Sequence, residues 1–142
     1  MAAGQGNSSS MVALGDIYRL GDMDGKHIDY KEALKWYRAA STSKNREHRS
    51  DAFLALGEMY EEGQGAAKSP AEAMKFYKKA VAEGNEEAGY RIGVLYETGK
   101  GVTKNYGKAA EWYRSAAEMN YSTAMYRMGF LHEKGMGVPK SM

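Results

Sequence analysis

Cysteine is absent from the chain, proline occurs only at Pro70 and Pro139, and no apolar run approaches the roughly 20 residues needed to span a bilayer. The first absence removes a disulfide scaffold, a thiolate zinc site and a cysteine nucleophile together. It leaves the compartment open, since secreted proteins also occur without cysteine. The lack of a long apolar run removes membrane insertion by a helix. Histidine is scarce as well: His27, His48 and His132 lie far apart, with no second histidine or carboxylate at ligand spacing, so neither a metal nor another cofactor is expected. Charge of one sign is also lacking. The 20 basic and 18 acidic side chains leave a net charge of +2, too even a balance to suggest a phosphate-binding surface or nucleic acid. The opening MAAGQGNSSS has neither the basic nor the apolar part of a signal peptide and reads as a disordered tail over residues 1–10. A cytoplasmic location is favoured, with the endoplasmic-reticulum lumen open if the chain is an excerpt from a longer protein.

What is present is repetition. Aligned on a glycine, ALGDIY, ALGEMY, RIGVLY and RMGFLH place Gly15, Gly57, Gly93 and Gly129 at steps of 42, 36 and 36 residues. Each phrase but the last is followed by a second one, EALKWYRAA, EAMKFYKKA or KAAEWYRSA, with the aromatic pairs Trp36-Tyr37, Phe76-Tyr77 and Trp112-Tyr113. A fixed period of this size is the mark of a stacked repeat. The first unit is longer because of the polar connections GDMDGKHIDY and STSKNREHRSD, where insertion disturbs little packing.

Both phrases have helical spacing. In the second unit Ala52, Leu56, Met59 and Tyr60 recur at i, i+4, i+7 and i+8, which defines a helix A, and Gly57 lies beside that stripe where a side chain would hold a neighbouring helix away. Ala73, Phe76, Tyr77 and Ala80 recur at i, i+3, i+4 and i+7, which defines a helix B. GQG and GKG stop helix A. Ser69-Pro70 then supplies an N-cap and a first-turn proline, with Asp29 and Asn105 at the equivalent cap position, and Gly84 stops helix B. One such hairpin cannot bury its own apolar face, whereas stacked copies build a continuous core. The expected architecture is therefore an all-α, right-handed α/α solenoid of seven helices. It has three full units and a terminal half unit over residues 11–142, divided at about 11–47, 48–84, 85–120 and 121–142.

The phrase A-x-x-x-L-G-x-x-Y-x-x-G-x-G followed by K-A-x-x-W-Y-x-x-A-A resembles the Sel-1-like repeat (SLR), a relative of the tetratricopeptide repeat, across residues 10–142. Departures are His132 for the helix A tyrosine, Met128 for leucine, Asn120 where the second unit has Gly84, and the long first loop. The resemblance implies an adaptor or scaffold that binds another protein. Family members are associated with endoplasmic-reticulum quality control, signalling, chitin-synthase regulation and bacterial host interaction.

No enzyme is expected. The glycine pairs around Gly63, Gly99 and Gly135 follow a helix and lack a P-loop pattern, and no Ser-His-Asp or paired-carboxylate arrangement is present. Two other readings stay open: a helical-repeat RNA binder, against which Glu58, Glu61 and Glu62 speak, and an enzyme like bacterial SLR proteins linked to β-lactam hydrolysis, which look cysteine-rich. Measured at 100° per residue from Ala88, Tyr90, Arg91, Val94 and Glu97 point away from the packing stripe of helix A. Tyr126, Arg127, Phe130 and Glu133 are their fourth-unit equivalents, and Leu54 and Glu58 their second-unit ones. By resemblance to tetratricopeptide-like stacks, in which A helices line the concave surface, the partner-binding groove is expected at Leu54, Glu58, Tyr90, Arg91, Val94, Tyr126, Arg127 and Phe130. The last helix A has no helix B after it. Ala124, Met128 and Leu131 are expected to face the missing helix, so that the end either forms a homodimer through Met128 and Leu131 or marks a cut in a longer solenoid.

Overall fold

The computed structural model describes residues 5–135, with side chains from Ser8 onward. Among the described residues there are seven helices and no strand: α1 Gln5–Leu20, α2 Tyr30–Ala40, α3 Arg46–Glu62, α4 Pro70–Ala82, α5 Glu86–Thr98, α6 Tyr106–Glu118 and α7 Ser122–Lys134. The A helices are α1, α3, α5 and α7; the B helices are α2, α4 and α6. Each helix packs on the next in sequence, which makes the chain an all-α helical repeat solenoid.

Local chemistry sets the helix ends. The side chains of Asp29, Ser69 and Asn105 accept the backbone N–H of Glu32, Glu72 and Lys108, and Pro70 opens α4. Asn45 and Asn85 cap α3 and α5 in the same way. Helix α4 stops at Gly84 with φ +92°, and at the equivalent turn after α6 Asn120 adopts φ +69°, a left-handed conformation that asparagine tolerates better than most residues.

The start of α1 corrects one expectation. Residues 5–10 belong to the helix, not to a disordered tail, while residues 1–4 of the expected tail lie outside the described residues. Ser8 is buried, and its Oγ lies 2.6 Å from His48 Nδ1 on α3. That tertiary contact overrides the weak intrinsic helix preference of a Gly-Asn-Ser-Ser-Ser run.

The core consists of three clusters, one at each junction between a B helix and the next A helix. Leu34 and Tyr37 meet Leu56 and Met59; Met74 and Tyr77 meet Ile92 and Leu95; Ala110 and Tyr113 meet Ala124 and Leu131. The two inner A helices, α3 and α5, therefore present two packing faces. One takes the preceding B helix, and the other takes its own. The second face is keyed by the repeat glycine. A Cβ built on Gly15, Gly57 or Gly93 would stand 2.5 or 2.6 Å from ring carbons of Tyr37, Tyr77 or Tyr113, so each tyrosine ring lies flat on the bare backbone of its own helix A.

This division corrects the expected dimer surface. Leu131 and Ala124 are fully buried and Met128 is partly buried, all against α6. They occupy the face toward the preceding B helix, so Leu131 is not available for self-association. Among the described residues, the uncovered face of α7 is the other one.

Candidate functional site

Each buried tyrosine ends in a carboxylate on its own A helix. The Tyr77 hydroxyl donates to Glu61 Oε1 at 2.7 Å, that of Tyr113 donates to Glu97 Oε1 at 2.7 Å, and that of Tyr37 donates to Asp16. Burial first, and the bonded carboxylate second, push all three hydroxyls above the ordinary value of 10.0. The folded state thus holds these protons more tightly than the unfolded chain does. Their stabilising contribution is complete below about pH 10 and is lost as pH rises past it. Melting temperature should accordingly fall steeply above about pH 10. The combined Tyr77→Phe, Tyr113→Phe variant should be less stable at pH 8 but show a shallower alkaline fall; an unchanged slope would show that these hydroxyls do not titrate with unfolding.

Along the A helices runs a ladder of ion pairs. Arg19 of α1 reaches Glu58 of α3 at 2.9 Å and donates to Gln64 at 3.0 Å. Arg91 of α5 reaches the other oxygen of Glu58 at 2.7 Å and its own Glu87 at 3.2 Å. Arg127 of α7 pairs with Glu97 of α5, which also accepts the Tyr113 hydroxyl. All these groups are half-buried, so the pairs join neighbouring units in register more firmly than fully exposed ones would.

The expected groove residues divide into three sets. Leu54 and Glu58 line a hollow of about 200 Å³ between α1 and α3, with Val12, Asp16, Arg19 and Asp51. Arg91 and Arg127 are held in the ladder. Tyr90 does not point away from helix B: its ring lies 5.6 Å from that of Tyr113 and 5.4 Å from that of Tyr121, and Val94 packs against the same cluster. The Tyr113 ring of α6 and the Tyr121 ring just before α7 occupy that side of α5. Tyr126 is 72% exposed on α7. Phe130 is partly buried, with the Arg127 guanidinium 5.0 Å from its ring.

Sequence reasoning missed the tyrosine-carboxylate bonds and the roles of Val12, Asp16, Arg19 and Asp51. One signal was available. Glu61, Glu97 and Glu133 all stand four residues after the repeat glycine. Asp51 stands at the rim of the hollow, where lost hydration and then Glu47 raise its carboxyl above the usual range; among the described residues it makes no hydrogen bond or ion pair.

The repeat glycines, the B-helix tyrosines and the hairpin stacking have a counterpart in known proteins: the family model described as Sel1 repeat matches residues 8–45, 50–85, 87–121 and 122–142. The chain belongs to the Sel1 repeat family. Among solved structures this Sel1 repeat chain is similar to a Sel1 repeat protein from Oxalobacter formigenes, with 36% identity and a TM-score of 0.80 over 95% of this chain and 53% of that one. It is also similar to c5321, a protective antigen of uropathogenic Escherichia coli strains that displays an SLR fold, with 32% identity and a TM-score of 0.82 over 96% of this chain and 28% of that one. Helicobacter pylori cysteine rich protein B shares the fold, at 20% identity and a TM-score of 0.61 over 84% of this chain and 92% of that one. Comparison with curated proteins gives no match. The chain spans about half the length of the Oxalobacter structure and about a quarter of the Escherichia one.

Proposed function

We propose that this Sel1 repeat chain is a non-catalytic interaction scaffold that holds a peptide or helix of another protein along the surface of its A helices. The observation that carries this reading is the hollow between α1 and α3. Val12, Leu54 and Ala55 supply a small apolar spot in a lining that is otherwise polar, the Arg19–Glu58 pair fixes one wall, and Asp51 stands at its rim with no ion-pair partner among the described residues. A segment that inserts an aliphatic side chain and sets a lysine or arginine beside Asp51 satisfies both features, with a charge-assisted bond worth about 1.5–3 kcal/mol. A phosphate backbone fits this surface poorly, because Arg19, Arg91 and Arg127 are each committed to a carboxylate. The buried tyrosines serve as donors within the stack, with hydroxyls shifted away from the ionised form that nucleophilic chemistry needs.

Panning a displayed library of helical peptides against the chain tests this. Selected peptides should carry a basic residue next to an aliphatic one. Asp51→Lys, at an exposed position, should weaken them at least tenfold while leaving stability within about 0.5 kcal/mol. Lys78→Glu on the outer face of α4 should have no effect on binding. Peptides that bind Asp51→Lys as well as the unaltered chain would refute the reading.

A further inference from the structure

Between α3 and α5 one arginine ties two neighbouring A helices together. Arg91 stands two residues before the repeat glycine of α5. Its Nη2 reaches Glu58 of α3 at 2.7 Å, and its Nε and Nη2 both meet one oxygen of Glu87 at 3.2 Å. Arg127, two residues before Gly129, pairs in the same direction with Glu97 of α5. Counted from the glycine, the same set between α1 and α3 has Asp16 for Glu58, Asp51 for Glu87 and Ala55 for Arg91. Both carboxylates are kept, each one carbon shorter, but the residue that should bring the cation is an alanine. All three line the hollow of about 200 Å³. Arg19, the one cation of that lining, is turned to Glu58 and Gln64. Asp16 gives one oxygen to the Tyr37 hydroxyl; its other oxygen and the Asp51 carboxylate have no hydrogen-bond or ion-pair partner among the described residues.

We propose, on the reading that this hollow seats a partner, that it selects arginine over lysine: a guanidinium of the bound segment lies between Asp16 and Asp51 as that of Arg91 lies between Glu58 and Glu87. Arg91 sets two N–H groups on one carboxylate while reaching a second, which takes a planar fork of donors. An ammonium is a compact, strongly hydrated point charge without that fork, and it gives up more hydration on entering a recess. The arginine stem lies along Val12, Leu54 and Ala55, the small apolar spot of the lining. The shorter aspartates suit a guanidinium that arrives from outside, because they leave open the space that Arg91 fills in the next unit.

The probes are acetyl-Leu-Arg-amide and acetyl-Leu-Lys-amide, titrated into the whole 142-residue chain and followed by the side-chain carboxyl carbon signals of Asp16 and Asp51. Saturable shifts at both carboxyls are expected with the arginine probe, and about tenfold weaker binding with the lysine probe. Asp51→Asn should weaken the arginine probe about tenfold at an unchanged melting temperature. Ala55→Arg sets the chain's own guanidinium between the two carboxylates, so it should raise the melting temperature and abolish binding. Equal affinity for the two probes, or a shift at Asp51 without one at Asp16, overturns the arginine bridge and leaves the hollow a partner site. Undiminished binding by Asp51→Asn also overturns it, whatever the fold of Ala55→Arg. Absence of shifts with both probes overturns the proposal as well; the panned peptides and Asp51→Lys then decide separately whether the hollow seats a partner.

Discussion

Tyr77→Ala is expected to cost about 3–5 kcal/mol, the upper range for a large-to-small change in a core. The side chain is fully buried, belongs to the central cluster with Met74, Ile92 and Leu95, lies flat on Gly57 and bonds Glu61. Removing it opens a cavity between α3, α4 and α5 at once, because the ring sits where two units meet. Tyr77→Phe keeps the ring and leaves Glu61 without its donor, so about 1–3 kcal/mol should be lost. Urea denaturation of both variants separates the packing part from the hydrogen-bonding part. A loss below about 1 kcal/mol for the alanine variant would mean that the tyrosine key is not a principal support of the stack.

The second large effect is a change of sign at equivalent positions. Alanine normally stabilises a helix interior relative to glycine by about 1 kcal/mol. At Gly57 the new Cβ would meet Tyr77 Cδ1 and Cε1 at 2.5 Å, and at Gly93 it would meet Tyr113 Cε1 at 2.5 Å. These rings cannot swing aside, since each is enclosed in a core cluster and tethered at its hydroxyl. Overpacking of this kind costs about 1–3 kcal/mol and outweighs the gain in helix preference. Gly57→Ala and Gly93→Ala should therefore destabilise by about 1–2 kcal/mol net, whereas Gly129→Ala, where nothing among the described residues lies within 4 Å of the new Cβ, should stabilise by about 0.5–1 kcal/mol. Thermal melts of the three variants side by side check the contrast. The same sign at all three positions would contradict the role assigned to the repeat glycines.

The elements visible in the sequence were those fixed by neighbours a few residues away. Asp29, Ser69 and Asn105 cap helices through bonds that close within three residues, and the repeat phrases carry their own period. What the sequence concealed depends on distant partners. The helical state of residues 5–10 goes with the bond from Ser8 to His48, across 40 residues. Leu131 was visibly apolar, but one broad apolar arc cannot say which of two B helices covers which half; burial against α6 decides it. Tyr90 lay opposite Ala88 on a helical wheel, yet the α6–α7 corner fills that side. The pairing of Arg91 with Glu58 needs the register between units, which no single helix contains.

The claim that the A-helix surface seats a partner is tested most directly by cross-saturation from a selected peptide to the amides of the uniformly labelled, deuterated chain. Transfer is expected at Val12, Asp51 and Leu54, around the hollow between α1 and α3. Transfer confined to Lys75, Lys78 and Arg114, on the exposed faces of the B helices, would contradict it.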